Sequence, residues 1–447
     1  MGRGGRYTAR AMRITRKSYS WVVGIALLQV AIGVCAQGQN DLGALTLAAA
    51  EDLLARNNRE IALARRALEQ SQADVVTAGQ RPNPQLSLAV QNINPNRGVG
   101  AGNLRGKTVD SIVRIDQLIE RGGKAELRVD TARRLEAAAG EDVVEVSRQQ
   151  TLALRSAYFD LLAAQEKATS SLESAQLFDK SVDAAQARLK AGDLAGSDVA
   201  RIRVDALRAQ NDARAAAGEV ARARVTVAYL VGREVGAASL TAISPWPKAD
   251  SAEGLAFSEE QIEARADVRA ARARVEAADK ARDLAQALRK RDVSVGAQYE
   301  HWPNQADGNN QGSGNSFGFA VSVPLFLRHG YEGEIARAQA DWYAARDVLE
   351  LVRAQARADV ARAASDLTVA RERLARFERE LLREAARTAT AAEFAFRNGA
   401  IGVMDLLDAR RVQAAIKIEA ANARADHAKA QAAFDLGRGL TRRRDDG

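Results

Sequence analysis

Apolar positions along the chain follow two periods, and each predicts a different kind of element. Residues 124–190 and 334–398 are built mostly from Ala, Arg, Gln, Glu and Leu; Gly140 is the only breaker in the first stretch, and the second contains neither Gly nor Pro. These residues favour helix, and roughly 65 of them at 1.5 Å each make a rod about 100 Å long. Helices of medium length are expected at about 45–79, 200–231, 258–291 and 403–437. In each half the two medium helices together match the long one in length, so stacked end to end they would complete a helical wall.

Between the helices the period drops to two. Leu86, Leu88 and Val90 share one face, and Val109, Val113 and Ile115 alternate with Asp110, Arg114 and Asp116. Further along, Val293, Val295 and Tyr299 oppose Asp292, Ser294, Gln298 and Glu300, while Phe317, Phe319, Val321 and Val323 oppose Gly318, Ala320 and Ser322. Strand pairs are expected at about 85–94 with 108–118 and about 292–301 with 316–326, joined by Gly- and Asn-rich loops at 94–107 and 303–315. Nine or ten alternating residues suit a transmembrane strand with one lipid face and one polar face, or a half-buried soluble hairpin. Tyr299 and Trp302, at the position of an aromatic girdle, favour the membrane. Four strands cannot close a barrel and an open edge cannot face lipid, so membrane strands would have to be pooled among subunits.

The chain also repeats itself. Arg188-Leu189-Lys190-Ala191-Gly192 leading to Ser197-Asp198-Val199 returns 207 residues later as Phe396-Arg397-Asn398-Gly399 leading to Met404-Asp405-Leu406. The sequence therefore divides into residues 1–36, a first repeat at 37–232, a connector at 233–257 around Pro245-Trp246-Pro247, a second repeat at 258–440 and a charged tail at 441–447.

Residues 1–36 change the meaning of the charge. Arg3, Arg6, Arg10, Arg13, Arg16 and Lys17 precede an apolar run from Trp21 to Val34, and small residues up to Ala36 precede Gln37. That is the order of a secretory signal peptide cleaved between Ala36 and Gln37, with Met12 as an alternative start. Lipid attachment at Cys35 is the rival reading. The formal charge of +8 includes these six cations, so about +2 remains after cleavage, and nucleic-acid binding loses its support. Cys35 is the only cysteine, so disulfide and thiol chemistry leave with it.

With the duplication, the strand-pair insertions and both turn motifs in place, the chain resembles the outer-membrane factor, or TolC-like, family over essentially its whole length after residue 36. The resemblance implies a mainly α protein with a membrane β-barrel: duplicated long-helix hairpins form a periplasmic α-barrel, and four strands per subunit contribute to a trimeric twelve-stranded outer-membrane barrel. It implies a homotrimer in outer-membrane lipid of a Gram-negative bacterium, with a periplasmic adaptor and a proton-driven RND-type pump of the inner membrane as partners. Asp405 and Asp408 match the family's aperture aspartates, and Asp198 matches a further tip carboxylate. Gly192, Ser197, Gly399 and Val403 fall where the adaptor would touch. Three copies of such carboxylates around an axis favour cations. Arg81-Pro82-Asn83-Pro84-Gln85-Leu86 and Asp116 to Lys124 look most like the CzcC-type branch, which serves heavy-metal efflux.

No residues argue for catalysis. There is no Gly-x-Ser-x-Gly turn and no phosphate loop, and His301, His329 and His427 have no ligand spacing. No enzyme activity, cofactor or resident metal is expected, and a cation cargo would be conducted without tight coordination. The alternatives are the same duct for drugs, organic compounds or secreted protein, and a soluble periplasmic coiled-coil adaptor.

Overall fold

The computed structural model describes residues 43–93, 109–248, 256–302 and 314–439. The expected cleavage site at Ala36 and Gln37, most of both strand-joining loops and the charged tail lie outside the described residues.

The first repeat opens with β1 (Ala44–Leu45), α1 (Leu47–Asn57) and α2 (Arg59–Gly79), followed by β2 (Gln85–Gln91) and β3 (Asp110–Ile119). Then come α3 (Lys124–Lys190), 67 residues long, and α4 (Gly196–Leu230). A 3-10 turn (Glu234–Ser239) and β4 (Thr241–Ala242) lead to the second repeat. That repeat holds α5 (Glu259–Glu263), α6 (Ala266–Ala287), β5 (Val293–Trp302), β6 (Gly314–Ser322), α7 (Glu332–Arg376), α8 (Leu382–Arg397) and α9 (Val403–Gly437). α3 lies between α2 and α4 on one side and α6 and α9 on the other, and α7 packs on α6 and α9. At about 1.5 Å per residue α3 runs about 100 Å, so the sheet and the α3–α4 turn lie at opposite ends.

Three expected helices are interrupted. The one expected at 45–79 breaks at Asn58 and the one at 258–291 breaks at Arg265, two residues that sit 207 apart. Both breaks are held by a buried polar side chain. Asn58, 5% exposed, accepts from the Ile61 amide (3.0 Å) and donates through Nδ2 to the Leu230 carbonyl (2.9 Å). Arg265, 3% exposed, pairs with Asp267 (2.6 Å) and donates to the Gly437 carbonyl (3.3 Å). Leu230 and Gly437 are the last residues of α4 and α9, whose terminal carbonyls have no partner within the helix. Each repeat thus ties the start of one medium helix to the end of the other, with an amide in one case and a guanidinium in the other. Gly232 follows with φ +67°, and a Cβ there would sit 2.6 Å from the Asn57 carbonyl oxygen.

The third interruption is a π turn at Phe377–Leu381 inside the stretch expected to run unbroken over 334–398. No breaker residue marks it. Leu374 and Phe377, with Leu381 and Leu382 beside them, pack on Ala420, Ala423 and Ile416 of α9. A wider turn brings several large side chains onto the same small-residue surface, and packing wins over regular pitch.

A core around Tyr158 fastens the connector to the middle of α3. Its hydroxyl donates to the Leu45 carbonyl (2.7 Å) and accepts from the Ser244 amide (3.0 Å). Gln165 holds both backbone groups of Ala242, at 2.9 and 3.0 Å. Trp246 stacks on Phe159 with centroids 6.0 Å apart and donates to Glu166 (2.6 Å). Each large apolar side chain buried in this cluster contributes about 1.5–3 kcal/mol.

β2, β3, β5 and β6 form one antiparallel sheet in that order, so the two strand pairs join through β3 and β5. β2 stops at Gln91 because Asn92 turns with φ +56°. β6 stops at Ser322, short of the expected 326, because Pro324 has no amide to donate. Leu86, Ile115, Ala297 and Phe319 are paired across one face, as are Leu88, Val113, Tyr299 and Phe317. The opposite face carries Arg114 against Gln298 and Asp116 against Gly296. Phe317, Phe319 and Leu88 are more than two-thirds exposed in the single chain.

Candidate functional site

At the end of α3 remote from the sheet, the chain makes the same turn twice. After α3, Gly192 takes φ +85°; its amide donates to Leu189 (3.1 Å) and the Asp193 amide to Arg188 (2.9 Å). After α8, Gly399 takes φ +73°; its amide donates to Phe396 (3.0 Å) and the Ala400 amide to Ala395 (2.8 Å). Both are glycine C-caps that satisfy the last helical carbonyls. No heavy atom lies within 4 Å of a Cβ built on either glycine, so the requirement is purely conformational.

The two turns meet in one apolar cluster. Phe178 of α3, Val199 and Ile202 of α4 and Leu407 of α9 form its buried part, with Leu194, Val403 and Met404 packed against it. Val403, one of the expected contact residues, therefore faces partly inward. Gly192, Ser197, Asp198 and Gly399 are exposed around the cluster.

The three candidate carboxylates differ in their bonding. Asp405 is exposed and accepts from the Gly402 amide (3.2 Å), which caps the first turn of α9. Asp198 is exposed in the first turn of α4, where negative charge suits the helix dipole. Asp408 is exposed and pairs with Arg411 (2.7 Å), and the same guanidinium reaches Asp205 of α4 (3.1 Å) and lies 5.9 Å from the Phe178 ring centre. Arg410 pairs with Glu393, joining α8 to α9.

The bridge Asp408–Arg411–Asp205 is only half legible in the sequence. An i,i+3 Asp–Arg pair on a helix is readable there, but the cross-helix partner Asp205 is not. Among the described residues no group of three or more His, Cys, Asp or Glu could hold a metal ion. His301 meets Asn315 (2.8 Å) and His329 meets Glu334 (3.1 Å), at opposite ends of the β5–β6 pair. Among the described residues, no helix is long and apolar enough to cross a membrane.

The fold and its paired turns are shared with solved outer-membrane channels. A family model described as outer membrane efflux protein matches residues 258–436, the second repeat. The cobalt-zinc-cadmium resistance protein CzcC of Cupriavidus metallidurans is 27% identical over 190 residues, 42% of this chain. That match spans 43% of the length of CzcC. Among solved structures, the outer membrane protein VceC of Vibrio cholerae superposes with a TM-score of 0.70 at 20% identity, over 88% of this chain and 96% of its own. The CmeC outer membrane channel of Campylobacter jejuni gives a TM-score of 0.75 at 13% identity, over 90% and 87%. The MtrE outer membrane channel of Neisseria gonorrhoeae, in its open state, gives 0.69 at 18% identity, over 89% and 90%. What these structures share with this chain is the fold.

Proposed function

We propose that this chain is the outer-membrane duct of a tripartite efflux system. It acts as a homotrimer with a periplasmic adaptor and a proton-driven inner-membrane pump, and conducts divalent heavy-metal cations outward. The observation that carries the reading is the open sheet. The outer edges of β2 and β6 have no partner strand among the described residues, and one face of the sheet is apolar and exposed. In hydrocarbon an unpaired edge costs several kcal/mol per group, so only closure is viable. Three copies supply twelve strands, an even number sufficient for a small barrel. The metal cargo is supported by the likeness to CzcC, and the cationic preference by carboxylates at the tip.

We place the aperture at Asp405, Asp408 and Asp198, and adaptor contact at the exposed turns around Gly192, Ser197, Gly399 and Val403. A conduit needs weak multiple contacts with its cargo and no tight site. The test is single-channel conductance of the purified trimer with and without divalent cations. Asp405→Ala with Asp408→Ala should raise conductance and weaken divalent block. Arg411→Ala, which removes the partner of Asp408, should deepen that block. Unchanged conductance and block in both variants would remove Asp405 and Asp408 from the aperture. For the cargo, a strain lacking the protein is grown against cobalt, zinc, cadmium and organic toxicants; sensitivity to the organic compounds alone would overturn the metal reading.

A further inference from the structure

The sheet's apolar face does not stop where β6 stops. Phe317, Phe319, Val321 and Val323 are followed at the same spacing by Leu325 and Leu327, which are 67% and 83% exposed although they lie past Ser322 in irregular chain. Arg328 comes next. The boundary between apolar and cationic surface is therefore a single residue wide.

The same level of the molecule carries a cation at the helix-side end of every strand. Arg81 precedes β2, Arg121 follows β3, Arg289 and Arg291 precede β5, and Arg328 follows β6; all are exposed. None of them forms a salt bridge among the described residues. The nearby acids are already bonded: Asp292 to the buried Lys124 (2.9 Å) and the Arg121 amide (2.9 Å), Glu120 to Arg128 (2.6 Å), and Glu334 to His329 (3.1 Å). Glu332 accepts from the Gly330 amide (3.1 Å) and feels the charge of Arg289. Two contacts hold cations in place at this rim. Arg289 donates to the Gly330 carbonyl (3.1 Å), and the Arg291 guanidinium lies 5.6 Å from the centre of the Phe326 ring, whose edge meets Tyr331. Aromatic rings with cations beside an apolar band are what a headgroup region selects.

We propose that this rim binds the anionic phospholipid headgroups of the periplasmic leaflet. Arg289, Arg291 and Arg328 reach the phosphates, while Leu325 and Leu327 insert among the acyl chains. The surface rests on the reading that the sheet lies in the outer membrane. It adds which lipid the protein holds and where. Charge complementarity selects the occupant, since each Arg or Lys near an anionic surface favours it by about fivefold.

The test uses full-length protein purified in detergent, stripped of lipid and offered equal amounts of phosphatidylglycerol and phosphatidylcholine. Retained lipid is counted by native mass spectrometry. The wild type should keep phosphatidylglycerol at least about tenfold over phosphatidylcholine. The triple variant Arg289→Gln, Arg291→Gln, Arg328→Gln should fall to within about twofold of parity, while Arg337→Gln with Arg362→Gln, two exposed cations on α7, should match the wild type. Heat-modifiable trimers and conductance are recorded for every protein. A wild type that conducts without preferring phosphatidylglycerol, or a triple variant that keeps the preference, overturns the rim alone. A wild type that neither trimerises nor conducts overturns the channel reading and the rim with it.

Discussion

Replacing Asn58 by Ala removes two bonds to backbone groups at one buried point, and a third, longer one to the Gln150 side chain (3.3 Å). The side chain caps α2 at the Ile61 amide (3.0 Å) and donates to the Leu230 carbonyl (2.9 Å). Loss of an N-cap costs about 1 kcal/mol, and a buried carbonyl left without its donor costs about 1–3 kcal/mol. Part of the second cost is recovered if water enters, so about 2–3 kcal/mol of local stability should disappear. The assay is amide hydrogen exchange, because it reads local opening where a global melt of a large assembly reads a rate. The Val231, Gly232 and Arg233 amides close the end of α4 onto Val227, Tyr229 and Ala228. Their exchange should quicken by about 30- to 150-fold, the equivalent of 2–3 kcal/mol. Asn58→Asp keeps the cap and loses the donor, so it should remain well destabilised; Asn58→Ser should behave like it. Exchange within about threefold of wild type in Asn58→Ala would refute the claim that this side chain holds the break.

Gly399→Ala should destabilise the tip by about 1–2 kcal/mol through its left-handed backbone, with Gly399→Asn milder, since no contact opposes a side chain there. Equal exchange rates for Asn398–Ala400 amides in wild type and Ala variant would contradict this. His427 of α9 is 1% exposed and its Nδ1 has no hydrogen-bond partner among the described residues. Burial, helped by the Arg371 charge and opposed by Glu378, holds its pKa below the ordinary imidazole value. The unfolded chain therefore binds the proton first as pH falls, so this residue contributes a loss of stability that begins near pH 6.5 and grows until the depressed folded value is passed. His427→Leu should shrink the difference in unfolding midpoint between pH 7.5 and pH 5.5; an unchanged difference would exclude the imidazole as its source.

Much of the architecture is legible in the residues. The helix expected over 124–190 spans Lys124–Lys190, because its composition contains almost nothing that competes with helix and its ends carry glycines. The turns at Gly192 and Gly399 are readable for the same reason, since a left-handed cap advertises itself by residue type. What stays hidden is decided by partners distant in sequence. Asn58 and Arg265 look like ordinary helix-surface residues until the carbonyls of Leu230 and Gly437 are placed beside them. The interleaved charges read as a solvated stripe, yet several link the two repeats, among them Arg134 with Glu276 (2.7 Å) and Lys429 with Asp160 (2.8 Å). Each such pair is worth less than about 1 kcal/mol at a surface, so they align the repeats more than they hold them.

The π turn at 377–381 has an outcome beyond its local packing. A turn closed by i→i+5 bonds takes in nearly one residue more than its neighbours, so every side chain after it points in a direction set back by almost a full residue's rotation. α3 has no such turn and keeps one phase over its whole 67 residues. The two arms therefore arrive at their end turns clocked differently. The two hairpins match at their glycine end turns and differ by one wide turn upstream.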